Sequence, residues 1–155
     1  MSEARLVLDL ASVSCSGRRP AIGVLYLEMS GVLFPSLRWT EFVVVFLEAW
    51  LTAVTRLVRR KSGSERVYFM EGPFCVDLRP VGADRIEVVA IERPESRVAM
   101  VSVATDALVK DAVGVAEAVL PVLRDLGCWS RDCEHLVGAL RLLVSIRPKA
   151  GGRHG

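Results

Sequence analysis

Residues 74–104 read FCVDLRPVGADRIEVVAIERPESRVAMVSVA. Apolar and polar side chains alternate here in short runs, the period of a half-buried β-strand. In Phe74–Arg79, Phe74, Val76 and Leu78 share one face, and Cys75, Asp77 and Arg79 share the other. Ile86–Glu92 forms a second run. Arg97–Ala104 forms a third, with Ala99, Val101 and Val103 on one face. Pro80–Asp84 and the Pro94-Glu95 turn are too short for parallel crossovers, which need a dozen or more residues. Neighbouring strands must therefore pair antiparallel.

Working towards the N-terminus, Arg66–Met70 reads as another strand, joined to Phe74 through Glu71-Gly72-Pro73. Before it, a helix is expected from Thr40 to Arg60, with Thr40 as N-cap and Trp39 packing on Val44 as a hydrophobic staple. Phe42–Leu47 is apolar nearly all round, which implies burial on more than one side. Arg56, Arg59 and Arg60 suit the negative end of the helix dipole. The chain opens with two expected strands, Arg5–Ser14 and Val24–Met29, paired as a hairpin. On the C-terminal side, Asp106–Leu126 carries an apolar stripe at helical spacing, with a kink expected at Pro121 and a C-cap at Gly127. Ser130 opens a last helix whose stripe is Cys133, Leu136, Val137, Leu140, Leu143 and Val144, and Pro148 stops it. The order ββ-α-ββββ-αα predicts an α+β domain over residues 1–148. Its mainly antiparallel sheet has about six strands, with helices packed on one face. Residues 149–155 read as a disordered tail.

Composition narrows the function classes. Hydrophobic residues make up 52% of the 155, enough for a full core and against disorder. Net charge is +2 and no segment is a basic patch, so nucleic acid is not an implied partner. Lys61, Lys110 and Lys149 are the only lysines, an arginine bias of the kind that a GC-rich genome produces. Leu6–Val13 followed by Cys15 lacks export-signal anatomy, since Glu3 replaces the positive region and Asp9 interrupts the apolar run. Phe42–Val58 contains Glu48 and runs into arginines, so it reads as a core helix rather than a membrane span. These readings predict a cytoplasmic protein away from membranes, with Cys15, Cys75, Cys128 and Cys133 reduced.

The chemistry-bearing residues are few. Cys128, Cys133 and His135 fall within eight residues. Structural zinc wants four ligands in paired spacings, and this set lacks the second pair. The expectation is no metal and no cofactor, with those three residues as the one metal alternative. His135 is two residues from Cys133, and helical side chains two apart diverge, so no cysteine–histidine catalytic pair forms there. Serine-hydrolase, phosphate-loop and dinucleotide fingerprints are absent, so no enzyme is expected. A pocket between sheet and helices remains the alternative for a small-ligand binder or enzyme, with Cys75, Asp77 and Arg79 as the polar row to watch.

Partner binding is the remaining class. Aromatic and arginine side chains dominate binding hot spots. Trp39, Glu71, Phe74, Asp77, Arg79 and Trp129 are the candidate contact residues, and Trp50 is expected in the core. An obligate structural subunit or a homo-oligomer is the competing reading, from the excess of apolar residues.

Phe34-Pro35, Trp39-Thr40-Glu41-Phe42, the Trp50-bearing helix and Phe69-Met70-Glu71-Gly72-Pro73-Phe74 together give residues 24–104 a pattern that resembles small bacterial immunity proteins. The resemblance implies a stoichiometric inhibitor that blocks a cognate toxin by binding it. It transfers no catalytic residue. Antagonists of nuclease toxins tend to be acidic, and this chain is not.

Overall fold

The computed structural model describes residues 3–60 and 63–146. It has the expected α+β class with antiparallel pairing throughout. Eight strands are present among the described residues, in two four-stranded sheets rather than one sheet of six. The sequence positions assigned to the tail, and Pro148, lie outside the described residues.

The first sheet is built on β2 (Ile22–Met29). β1 (Ala4–Leu8) pairs along one edge of it. The other edge takes two short strands, β3 (Val32–Phe34) and β4 (Thr40–Phe42). The β2–β3 link is a two-residue turn with Ser30 at φ 48° and Gly31 at φ 93°, the left-handed geometry of a tight hairpin. The first strand ends earlier than expected. Asp9 accepts from Ala11 N at 3.1 Å and Ser12 Oγ donates to Asp9 O at 2.6 Å, which folds Leu10–Ser12 into one 3-10 turn.

The helix expected from Thr40 begins at Val43 instead, as α1 (Val43–Arg60). Thr40–Phe42 stays extended because the Ile22–Val24 stretch of β2 offers it a ladder, with Val24 opposite Thr40. Thr40 therefore does not cap the helix, and Trp39 is not in a staple position. α1 is buried on several sides, as its apolar sequence requires. Val43, Phe46, Leu47, Trp50, Leu51 and Val54 have no exposed surface.

The second sheet runs β5 (Glu65–Tyr68), β6 (Phe74–Val81), β7 (Arg85–Glu92), β8 (Ser96–Ala104), in that spatial order. Its register places residues in rows. Leu78, Val88 and Val101 lie side by side facing inward, while Asp77, Val89 and Met100 form the adjacent row facing outward. α2 (Thr105–Asp125) follows β8 and passes through Pro121 as one continuous helix. It ends as expected at Gly127, whose φ of 72° suits glycine, with Cys128 N donating to Leu123 O. α3 (Arg131–Ile146) packs chiefly on α1. One core cluster runs through both sheets and all three helices.

Candidate interaction face on the second sheet

The two faces of the second sheet have different fates. Inward, Val67, Val76, Leu78, Ile86, Val88, Ala90, Val101 and Val103 join the main core. Outward, Cys75, Val89 and Ile91 are buried but form a separate cluster that includes no residue of a helix or of the first sheet. The long side chains around them supply their cover. Tyr68, Val98 and Met100 stand at the margin, 44%, 46% and 53% exposed. An apolar centre with exposed aromatic, valine and methionine neighbours is the composition of an interface core rather than of a solvated sheet face.

Arginine surrounds that centre. Arg66 grips Asp77 with two parallel bonds, Nε to Oδ1 at 2.6 Å and Nη2 to Oδ2 at 3.0 Å. Arg79 Nη2 donates to the same Oδ2 at 3.3 Å, and its Nη1 lies 3.8 Å from Glu87 Oε1. Two guanidiniums thus share one buried carboxylate. The hydrogen bonds from Arg66, opposed by burial, hold Asp77 below its ordinary carboxyl range, and the same bond raises the Arg66 pKa. Burial pushes the neighbouring Cys75 thiol up, away from the thiolate that nucleophilic chemistry needs. Arg93 lies 5.3 Å from the centre of the Tyr68 ring, a cation–π contact that fixes both groups. Arg85 donates to Ser102 Oγ and Ser102 O, and Arg97 is exposed.

The residues singled out in sequence part company here. Arg79 lies on the open face, and Asp77 is the buried anion that orders it. The row Cys75, Asp77, Arg79 faces away from the helices, so it does not line a pocket between sheet and helices. A cleft that borders the second sheet and two helices, of about 310 Å³ between Leu57, Val58, Pro80, Ile86, Ala104 and Thr105, excludes that row.

Trp39 and Phe74 belong to a different construction. Their rings meet edge to face at 5.3 Å, and each packs the same way on Phe69 or Phe34. Phe69 stacks on Phe46, and Phe46 on Trp50. Beside them Glu41, only 2% exposed, accepts from Trp39 Nε1 at 3.0 Å, Phe42 N at 3.0 Å and Met70 N at 3.1 Å. Burial raises its pKa despite these bonds. Gly72 holds φ 76°, and a Cβ there would meet the Phe74 ring at 3.0 Å. The residues that carry the immunity-protein pattern thus converge on one corner, where they join β4, α1 and the β5–β6 hairpin. Their work in this structure is to hold that corner together. Glu71 is exposed on the hairpin tip, and Trp129 is half-buried with the Arg124 guanidinium 4.3 Å from its ring.

Two expectations about cysteine are corrected. Cys15 and Cys128 are joined as a disulfide across 113 residues of sequence, so the set of four reduced thiols is not what the fold holds. The spacing in sequence hid this, because the 3-10 turn after β1 and the α2–α3 turn meet only in three dimensions. The pairing also dissolves the Cys128, Cys133, His135 metal alternative. Cys128 is bonded, Cys133 is fully buried with its thiol towards Cys128 O at 3.6 Å, and His135 is exposed. Among the described residues no three histidine, cysteine or acidic side chains gather as a metal site. None of their helices is long and apolar enough to cross a membrane.

No protein-family model matches this chain, and no curated protein or solved structure matches it either.

Proposed function

We propose that this protein is a non-enzymatic binding module, a stoichiometric inhibitor of a cognate toxin, and that it grips its partner with the open face of the second sheet. The observation that carries the reading is the separate apolar cluster of Cys75, Val89 and Ile91, left without a covering element and ringed by Tyr68, Val98, Met100 and arginines. Interfaces of this make-up concentrate binding energy in a few central aromatic, apolar and arginine side chains. The pattern of residues 24–104 supports the toxin-antagonist form of the reading.

Co-expression with the product of the directly upstream gene tests it. The expected result is a one-to-one complex and rescue of growth from a toxic neighbour. A neighbour that is neither toxic nor bound overturns it. The same exposed side chains favour self-association as the second reading, and light scattering at high concentration separates the two. A stable dimer whose formation hides the open face would replace the toxin reading.

The cytoplasm is the compartment that accompanies this proposal. The Cys15–Cys128 bridge argues the other way, since disulfides persist in oxidising compartments. Counting free thiols in protein from its native host decides between them. Four titratable cysteines in the unfolded chain fit the cytoplasm, and two fit an oxidising one.

A further inference from the structure

The open face gathers arginines that lie scattered in the sequence. Arg66, Arg79, Arg85, Arg93 and Arg97 come from four strands and the turn between two of them, which is why no segment of sequence reads as basic. Against these five stand Asp77 and Glu87, and Asp77 is 7% exposed. The other acids of this sheet lie off the outward rows: Glu65 pairs with Arg56 of α1, Asp84 sits in the β6–β7 turn, and Glu71, Glu92 and Glu95 sit at the opposite turn end beside Arg93. On the outward rows of the strands Arg66, Arg79, Arg85 and Arg97 outnumber Asp77 and Glu87 by two. The arginines are also ordered in advance. Asp77 fixes Arg66 and Arg79, Tyr68 and Gly72 O hold Arg93, and Ser102 holds Arg85. Guanidiniums held this way keep unused N–H donors aimed at solvent, and little side-chain entropy is lost when a carboxylate binds them.

Resting on the binding reading above, we propose that the partner segment docked on this face is acidic protein. Its carboxylates would meet the arginines, and an apolar side chain would meet Tyr68, Val98 and Met100. Two other occupants fit less well. A second copy docked face to face would set arginine against arginine, which repels. A single-stranded nucleic acid would use a free ring for base stacking, and Tyr68, the aromatic of this face, is already covered by Arg93.

The test is an amide NMR titration of the full chain with three probes: an octapeptide alternating glutamate and valine, its lysine–valine counterpart, and an eight-nucleotide oligouridylate. The glutamate peptide is expected to shift the amides of Tyr68, Arg79, Val98 and Met100, with affinity falling on the order of tenfold between about 50 and about 300 mM salt. Arg97→Glu, at an exposed site with no partner to lose, should weaken it, and Arg141→Gln on α3 should not. Shifts that map elsewhere, equal binding of the lysine peptide, or preference for oligouridylate overturns the inference. With the upstream gene product as ligand, loss of binding in Met100→Ser but not in Arg97→Glu overturns the acidic partner while leaving the binding module standing. Loss in neither overturns both.

Discussion

The inner and outer faces of the second sheet are cut from the same four strands, yet only one of them is finished. Inward, Leu78, Val88 and Val101 are closed over by helices and merge with a core that spans the molecule. Outward, one residue along each strand, stand Asp77, Val89 and Met100, and Val89 belongs to a cluster with Cys75 and Ile91 that includes no residue of a helix or of the first sheet. A sheet whose outer face only had to be soluble would carry charged and hydroxyl side chains throughout. This one keeps Cys75, Val89 and Ile91 in its middle. The difference teaches that the inner face answers to folding and the outer face to something outside the chain.

The largest effect should come from the inner face. Leu78→Ala removes a side chain with no exposed surface and leaves a cavity that the helices cannot fully close. A loss of about 2–5 kcal/mol is expected in chemical denaturation. If the loss is under about 1 kcal/mol, the inner face is not the organising core and the contrast between the faces fails.

The contrast was half legible in sequence. Alternation in Phe74–Arg79 and Arg97–Ala104 sorted the residues correctly onto two faces, because a strand's period of two needs no tertiary information. Which face would be covered was not legible, since that depends on where α1 and α2 land. Arg66, Tyr68, Val98 and Met100 were missed for this reason. The signal available was their shared parity with Asp77 and Arg79 once the strands were set in antiparallel register. Trp39 and Phe74 carry two readings in sequence. An aromatic before a helix start or on a hairpin tip reads as a structural contact or as an anchor for a partner, and here both rings close an internal corner around buried Glu41. The strand at Thr40–Phe42 was lost because a three-residue extended piece has no periodicity to detect, and only the length of β2 creates it.

Acid–base behaviour offers a finer test, because the carboxylates of the two regions shift in opposite directions. Asp77 on the outer face lies below its ordinary value, so its ion pairs add stability that is complete above the ordinary carboxyl range and is lost as pH falls from that range through the lowered value. Glu41 in the aromatic corner lies above its ordinary value, as does Asp111 beneath β1, where it accepts from Leu6 N. For these two, stability declines as pH rises from the ordinary value to the raised one. Asp77→Asn should cost about 1 kcal/mol at neutral pH, a modest figure because Arg66 and Arg79 remain open to solvent. It should also flatten the acid limb of the stability profile, measured by denaturation from pH 3 to pH 8. An acid limb identical to that of the parent chain would show that the arginine clasp adds nothing to folding.

The smallest effect on folding should accompany the largest on binding. Met100 is 53% exposed at the β8 end of the outer row, and Met100→Ser removes it without opening a cavity in the main core. Stability should change by less than about 0.5 kcal/mol. An apolar hot-spot contact in an interface is worth about 1–2 kcal/mol or more when truncated, so binding of the upstream gene product should weaken by about tenfold or more. The pairing of these two numbers is what distinguishes a recognition surface from a structural one. If Met100→Ser destabilised the fold as much as Leu78→Ala, the outer cluster would be a second core, and the partner would have to be sought on another surface.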